Sequence, residues 1–164
     1  MGDFYAEQLV KKKTDTKDIL IKVLLLVLTV VSVLTVFMFP FGILLPVIFI
    51  VLDVFAFRWL DVEYEYLFMN GDLDVDKVMH KERRKHIFSM NINDMEVLAP
   101  SGAAELAPHK NAKVCDFSSK TQGAQTYEMV IVANGAKTRV VFEPNDAILE
   151  GMWMMAPRKV IRRK

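Results

Sequence analysis

The run ILIKVLLLVLTVVSVLTVFMF, Ile19 to Phe39, constrains this chain more than any other stretch. A helix needs about 20 mostly apolar residues to cross a bilayer, and this run supplies them with Lys22 as its only charge. Lys22 is close enough to one end for its aliphatic stem to carry the ammonium to the headgroups. Pro40 and Gly42 break the run, and ILLPVIFIVLDVFAF, Ile43 to Phe57, follows. This second stretch is shorter and holds Pro46 and Asp53. A helix from Phe41 to near Leu60 is still long enough to span, with Arg58 and Trp59 suited to its interfacial end. The expected element is a transmembrane helical hairpin over residues 19–60, with spans at 19–39 and 41–60.

Lys11, Lys12, Lys13 and Lys17 precede the first span, whereas the connecting FPFG carries no Lys or Arg. Positive-inside bias then puts both termini in the cytoplasm, with residues 1–18 as a cytoplasmic N-terminal segment of a multi-pass inner-membrane protein. The basic start resembles a signal peptide, but the apolar run is too long, lacks a small-residue cleavage site and is followed by another span. MGDFYA also lacks the Ser or Thr of a myristoylation signal. An acidic residue inside a span is a functional candidate, because an unpaired charge there is costly. Lys22 and Asp53 lie at similar depths in an antiparallel hairpin, so one expectation is an interhelical pair and the other is that Asp53 snorkels to water.

From Asp61 the periodicity becomes two. VEYEYLFM alternates Glu63 and Glu65 with Tyr64, Tyr66 and Phe68, as a half-buried strand does. Asn70-Gly71 is a strong hairpin signal because both turn positions tolerate positive φ. DLDVDKVM follows, then a turn at HKERR, then KHIFSMNI and DMEVLAP. After residues 101–113 come KVCDFSS, TYEMVIVA and KTRVVFEP, which makes seven short strands. Pro144 and Asn145-Asp146 signal a helix start, the Asn or Asp able to cap the first turn. In NDAILEGMWMM, Ile148, Met152 and Met155 recur at helical spacing before Pro157. So short and apolar a helix must pack against something, and the open end of a β-barrel or sandwich is the expected place.

Seven strands followed by one C-terminal helix resemble the pleckstrin-homology (PH) superfold. Two apolar helices followed by YEYLFMNGDLDVDKVMHKERRKHIFSM resemble bacterial membrane proteins that carry PH-like domains. More narrowly, the opening MGDFYAEQLV with the helices and this domain is similar to a small family of bacterial membrane proteins of unknown function. The resemblance implies a fold: a PH-like domain over residues 61–157 closed by its C-terminal helix, with a basic tail at 158–164. It implies no activity.

Asp72, Asp74 and Asp76 alternate as the opening of a calcium loop would. Such a loop needs Gly at its sixth position and a bidentate Glu at its twelfth, where this chain has Lys77 and Arg83. The aspartates therefore form the wet face of a strand whose Leu73 and Val75 point inward. His80, His86 and His109 have no partners at metal-ligand spacing, and Ser118 and Ser119 sit near no evident base. No phosphate loop, zinc spacing or nucleophile elbow occurs. The expectation is a non-enzymatic protein with no cofactor and no metal. Its lone cysteine, Cys115, leaves no internal disulfide.

A net charge of +1 points to no nucleic-acid partner. Two basic clusters remain: Lys81, Arg83, Arg84 and Lys85 at one turn, and Arg158, Lys159, Arg162, Arg163 and Lys164 in the tail. Near an anionic leaflet each Lys or Arg gains about 1 kcal/mol, so both clusters are candidates for leaflet or partner contact; the alternative is a solvated turn and a disordered tail. Specific phosphoinositide recognition is disfavoured, since the first hairpin carries Asn70, Gly71 and Asp72. The function expected is a membrane-anchored interaction or scaffold module that binds a partner protein, a second copy or anionic lipid. The competing expectation is an accessory subunit of a transporter or envelope complex that works through its helices.

Overall fold

The computed structural model describes residues 4–133 and 135–163. Among the described residues, eight strands form two four-stranded sheets, in the orders β1-β2-β3-β4 and β5-β7-β8-β6. The first sheet is antiparallel throughout: β1 (Tyr5–Lys11), β2 (Val62–Met69), β3 (Asp72–Met79) and β4 (Arg83–Asn91). The second contains β5 (Met95–Pro100), β6 (Lys113–Asp116), β7 (Tyr127–Ala133) and β8 (Ala136–Phe142), with β6 parallel to β8.

The strand β1 corrects the sequence expectation, which put residues 1–18 outside the domain and counted seven strands. It pairs along its whole length with β2, from Tyr5 opposite Met69 to Lys11 opposite Glu63. Gln8 fastens it to the rest of the fold. Its amide donates to the carbonyl of Glu143 at 2.8 Å and its oxygen accepts from the Asn145 backbone N–H at 2.6 Å. Buried backbone groups need such partners, and here one side chain serves both.

The Asn70-Gly71 turn forms as its sequence demands, with φ of 50° and 99°, and it sets the register of β2 on β3. Leu73 and Val75 are fully buried. Asp72 accepts from Asn91 at 2.6 Å, and Asp76 meets the His86 ring at 2.9 Å on the wet face.

The core lies between the sheets. Tyr66, Phe68, Leu73 and Val75 from the first meet Leu98, Met129, Val140 and Phe142 from the second. The rings of Tyr66 and Phe142 pack edge to face, 5.7 Å apart at 81°, a favoured aromatic geometry. The Tyr66 hydroxyl donates to the Phe117 carbonyl at 2.6 Å, and burial pushes its acidity well down. Helix α4 (Asp146–Met155) is capped by Asn145, whose side chain accepts from the Ile148 N–H at 2.9 Å. Its Ile148, Leu149 and Met152 are buried in the same core, and Leu98 bridges to Val160 beyond it.

Between β1 and β2 the chain leaves the domain as α1 (Thr16–Val33), a short α2 (Thr35–Met38) and α3 (Leu44–Leu60). Asp15 caps α1, and Asp18 completes the capping box by accepting from the Asp15 N–H. The first apolar run is one helix long and apolar enough to cross a membrane, Thr16–Met38 with mean hydropathy 2.8. The stretch expected at 41–60 is helical only from Leu44. At 1.5 Å per residue that is about 25 Å, short of a bilayer core of about 30 Å.

Candidate functional site

Helices α1 and α3 meet along a polar seam. Thr29 lies 2.7 Å from the Asp53 carboxylate, and Ser32 donates to the Thr29 carbonyl at 2.6 Å. The Thr35 hydroxyl lies within hydrogen-bonding distance of both the Ser32 and the Gly42 carbonyls. Asp53 is buried between the helices with its Oδ1 unpartnered among the described residues.

Asp53 therefore meets Thr29 rather than the expected Lys22. Lys22 lies over the Phe57 ring, with Nζ 5.7 Å from its centroid. Phe57 is four residues from Asp53, about 6 Å along a helix. Thr29 occupies the position opposite the acid, and Lys22 lies seven residues before it on α1, about 10 Å or two turns away.

The β1–β2 pairing brings both helix ends to one end of the first sheet. Lys12 donates its backbone N–H to Val62 and Lys13 to Ser119, at 3.0 and 2.7 Å, and Lys11 pairs with Asp61 at 3.1 Å. The β3–β4 turn comes to the same end, because Met79 pairs with Val62 across the sheet. The His80 N–H donates to the Asp61 carbonyl at 2.9 Å and holds the turn against the foot of α3. Arg58 then reaches Glu82 at 2.6 Å. Between them lies a cleft lined by Phe55, Arg58, Trp59, His80, Glu82 and Arg83.

Of the expected basic residues, Lys81, Arg83, Arg84 and Lys85 are exposed on and beside this turn. Arg84 also reaches back to Glu65 at 2.9 Å. The tail cluster lies elsewhere. Lys159 donates to the Asn93 carbonyl at 3.2 Å, and Arg158 lines a groove with Ile92 and Met155. Arg162 stacks on Trp153 at 4.6 Å, and the Arg163 N–H points to the Tyr127 hydroxyl at 3.4 Å. Ile92 and Asn93 follow the far end of β4, so a strand length of about 25 Å separates the clusters. They do not converge, and Lys164 lies outside the described residues.

Arg58 and Trp59 belong with the turn cluster, an association not evident in the sequence. Counting outward from Asn70-Gly71 would have found them, since that hairpin brings residues 79 and 80 beside 61 and 62.

The outer face of the first sheet holds a second cluster of charges. The Tyr5 hydroxyl donates to Glu7 at 2.5 Å, and that bond, with one from Glu65, holds the Glu7 carboxyl below the usual carboxylate range. Burial, then the bond to Glu7, raises Glu65, and Arg84 opposes the rise. No group of three or more His, Cys, Asp or Glu among the described residues could hold a metal ion.

Two four-stranded sheets share one core, to which α4 contributes Ile148, Leu149 and Met152. The chain belongs to the bacterial PH-like domain family (DUF6106), whose model matches residues 2–162. The match thus takes in β1 and the apolar helices as well as the sheets. No curated protein and no solved structure matches the chain.

Proposed function

We propose that this protein is a membrane-anchored, non-enzymatic interaction module whose PH-like domain is held against the cytoplasmic leaflet by a helical hairpin. The insertion of the apolar helices between two paired strands carries this reading. The links are short, Lys12 to Asp15 on one side and Asp61 on the other, and both are tied to the sheet by backbone hydrogen bonds. A domain tethered this way at two adjacent points cannot swing far from the surface that the helices enter. The helices and the turn before α3 present Leu20, Phe37, Phe41 and Phe55 outward, far more apolar surface than a water-soluble chain leaves exposed.

In this reading α1–α2 and α3 both cross the bilayer, the shorter α3 accommodated by local thinning and by its interfacial Arg58 and Trp59. Both termini are cytoplasmic. Helix α4 closes the core between the sheets, as the burial of Ile148 and Met152 supports. The turn bearing Lys81, Arg83, Arg84 and Lys85 faces the leaflet, whereas the Arg158–Arg163 region faces away from it and is free for a protein partner.

The test is amine-reactive labelling of the full-length protein in bilayer discs. Lys81 and Lys85 should be protected in anionic lipid relative to neutral lipid, and Lys159 should label equally in both. Equal labelling of all three would sink the leaflet arrangement and return attention to the helices as the interacting part.

A further inference from the structure

Resting on that leaflet arrangement, we propose that the cleft between the last turn of α3 and the β3–β4 turn binds the phosphate of an anionic phospholipid. Phe55 and Trp59 lie one helical turn apart and are 69% and 70% exposed. They offer an acyl chain an apolar track that ends at Arg58. Arg83 lines the opposite side of the cleft with His80. Two guanidinium groups suit a phosphate because each can donate a pair of parallel N–H bonds.

The Arg58 guanidinium is engaged by Glu82 at 2.6 Å. Carboxylate and phosphate oxygens compete for the same N–H groups, so Glu82 is a built-in competitor that a headgroup displaces. Both partners of the pair are solvent-accessible, at 46% and 68% of their side chains, so water solvates whichever group is released.

The turn that positions these groups is itself unusual. His80 and Lys81 have φ of 51° and 59°, a region uncommon for residues other than Gly and one that His tolerates better than Lys. The hydrogen bond from His80 to Asp61 holds them there. Because the aromatic wall continues the exposed face of an apolar helix, a lipid fits the cleft better than a free anion or a soluble acidic peptide.

The experiment is native mass spectrometry of the full-length protein in detergent, titrated separately with phosphatidylglycerol, phosphatidylcholine and inorganic phosphate. Phosphatidylglycerol should be retained over phosphatidylcholine. Arg58→Gln with Arg83→Gln should cut that retention by about tenfold, and Lys159→Gln should not change it. Glu82→Gln should increase retention, a gain that misfolding cannot produce. An undiminished phosphatidylglycerol preference in the double Arg variant overturns the site while leaving the leaflet arrangement standing. No gain in Glu82→Gln overturns the competitor role, and equal retention of inorganic phosphate overturns the lipid assignment. Loss of Lys81 and Lys85 protection in anionic discs, by contrast, overturns the leaflet arrangement itself.

Discussion

Gly151 faces Phe4 so closely that a Cβ there would fall 2.2 Å from the ring. That ring packs edge-on against Phe68 at 5.9 Å and 63°. Gly151→Ala must push Phe4 away and loosen β1 from α4. The expected cost is about 1–3 kcal/mol, measured as a lower melting temperature in detergent; an unchanged melting temperature would remove Phe4 from the packing account. Glu65 makes a different kind of prediction. Its carboxyl is raised in the folded protein, so the native state holds that proton more tightly than the unfolded chain does. Its contribution is favourable below the ordinary carboxylate range and is lost as pH rises through the raised value. Glu65→Gln should therefore gain stability over the native protein as pH rises from about 4 to 7, read as a widening difference in melting temperature. A constant difference would contradict the assignment. The Asn70-Gly71 turn and the Asn145 cap were legible in the sequence because each is decided by its own side chains. The positive φ at His80 and Lys81 was not, because residues elsewhere in the fold impose it.

Among the elements, β1 shows why strand patterns fail at a sheet edge. Its inward positions are Ala6, Gln8 and Val10, and the exposed positions include Leu9. The alternation is blurred because the central inward residue is polar, and its partners, Glu143 and Asn145, lie far along the chain. The partner strand is itself beyond the apolar helices, so nothing local announces the pairing. A concrete consequence follows for dissecting the protein. A fragment beginning at Asp61 lacks an edge strand and should show poor amide dispersion by NMR. Joining residues 4–12 to 62–163 through Asn-Gly should restore a soluble, well-dispersed domain, since Lys12 already donates to Val62 across the gap. If the shorter fragment folds equally well, β1 is dispensable and the insertion argument weakens.

For the whole molecule the decisive matter is orientation. Cys115 packs half-buried against the core, which makes it a poor reporter for thiol labelling. In a Cys115→Ser background, Phe41→Cys in the exposed turn before α3 and Lys120→Cys on the domain give a cleaner test. An impermeant maleimide added to intact cells should label the Phe41 site and reach the Lys120 site only after lysis. The reverse pattern would invert the topology. Labelling of neither site before lysis would mean that the turn before α3 does not cross.

The apolar run, the period-two strands and the Asn-Gly hairpin are properties of neighbouring residues, so the sequence alone determined a PH-like β-domain carrying apolar helices. Which charges meet was decided by tertiary structure. Lys22 and Asp53 were expected to pair, but Thr29, about two turns further along α1, faces the acid instead. Each basic cluster was a candidate for leaflet or partner contact, and the length of the first sheet sets the two apart. Arg58, Trp59 and Arg83 had no evident connection in the chain, yet the β2–β3 register and the His80–Asp61 hydrogen bond gather them at one cleft. Charges act over a few ångströms in space, and only the folded register converts distance along the chain into that distance.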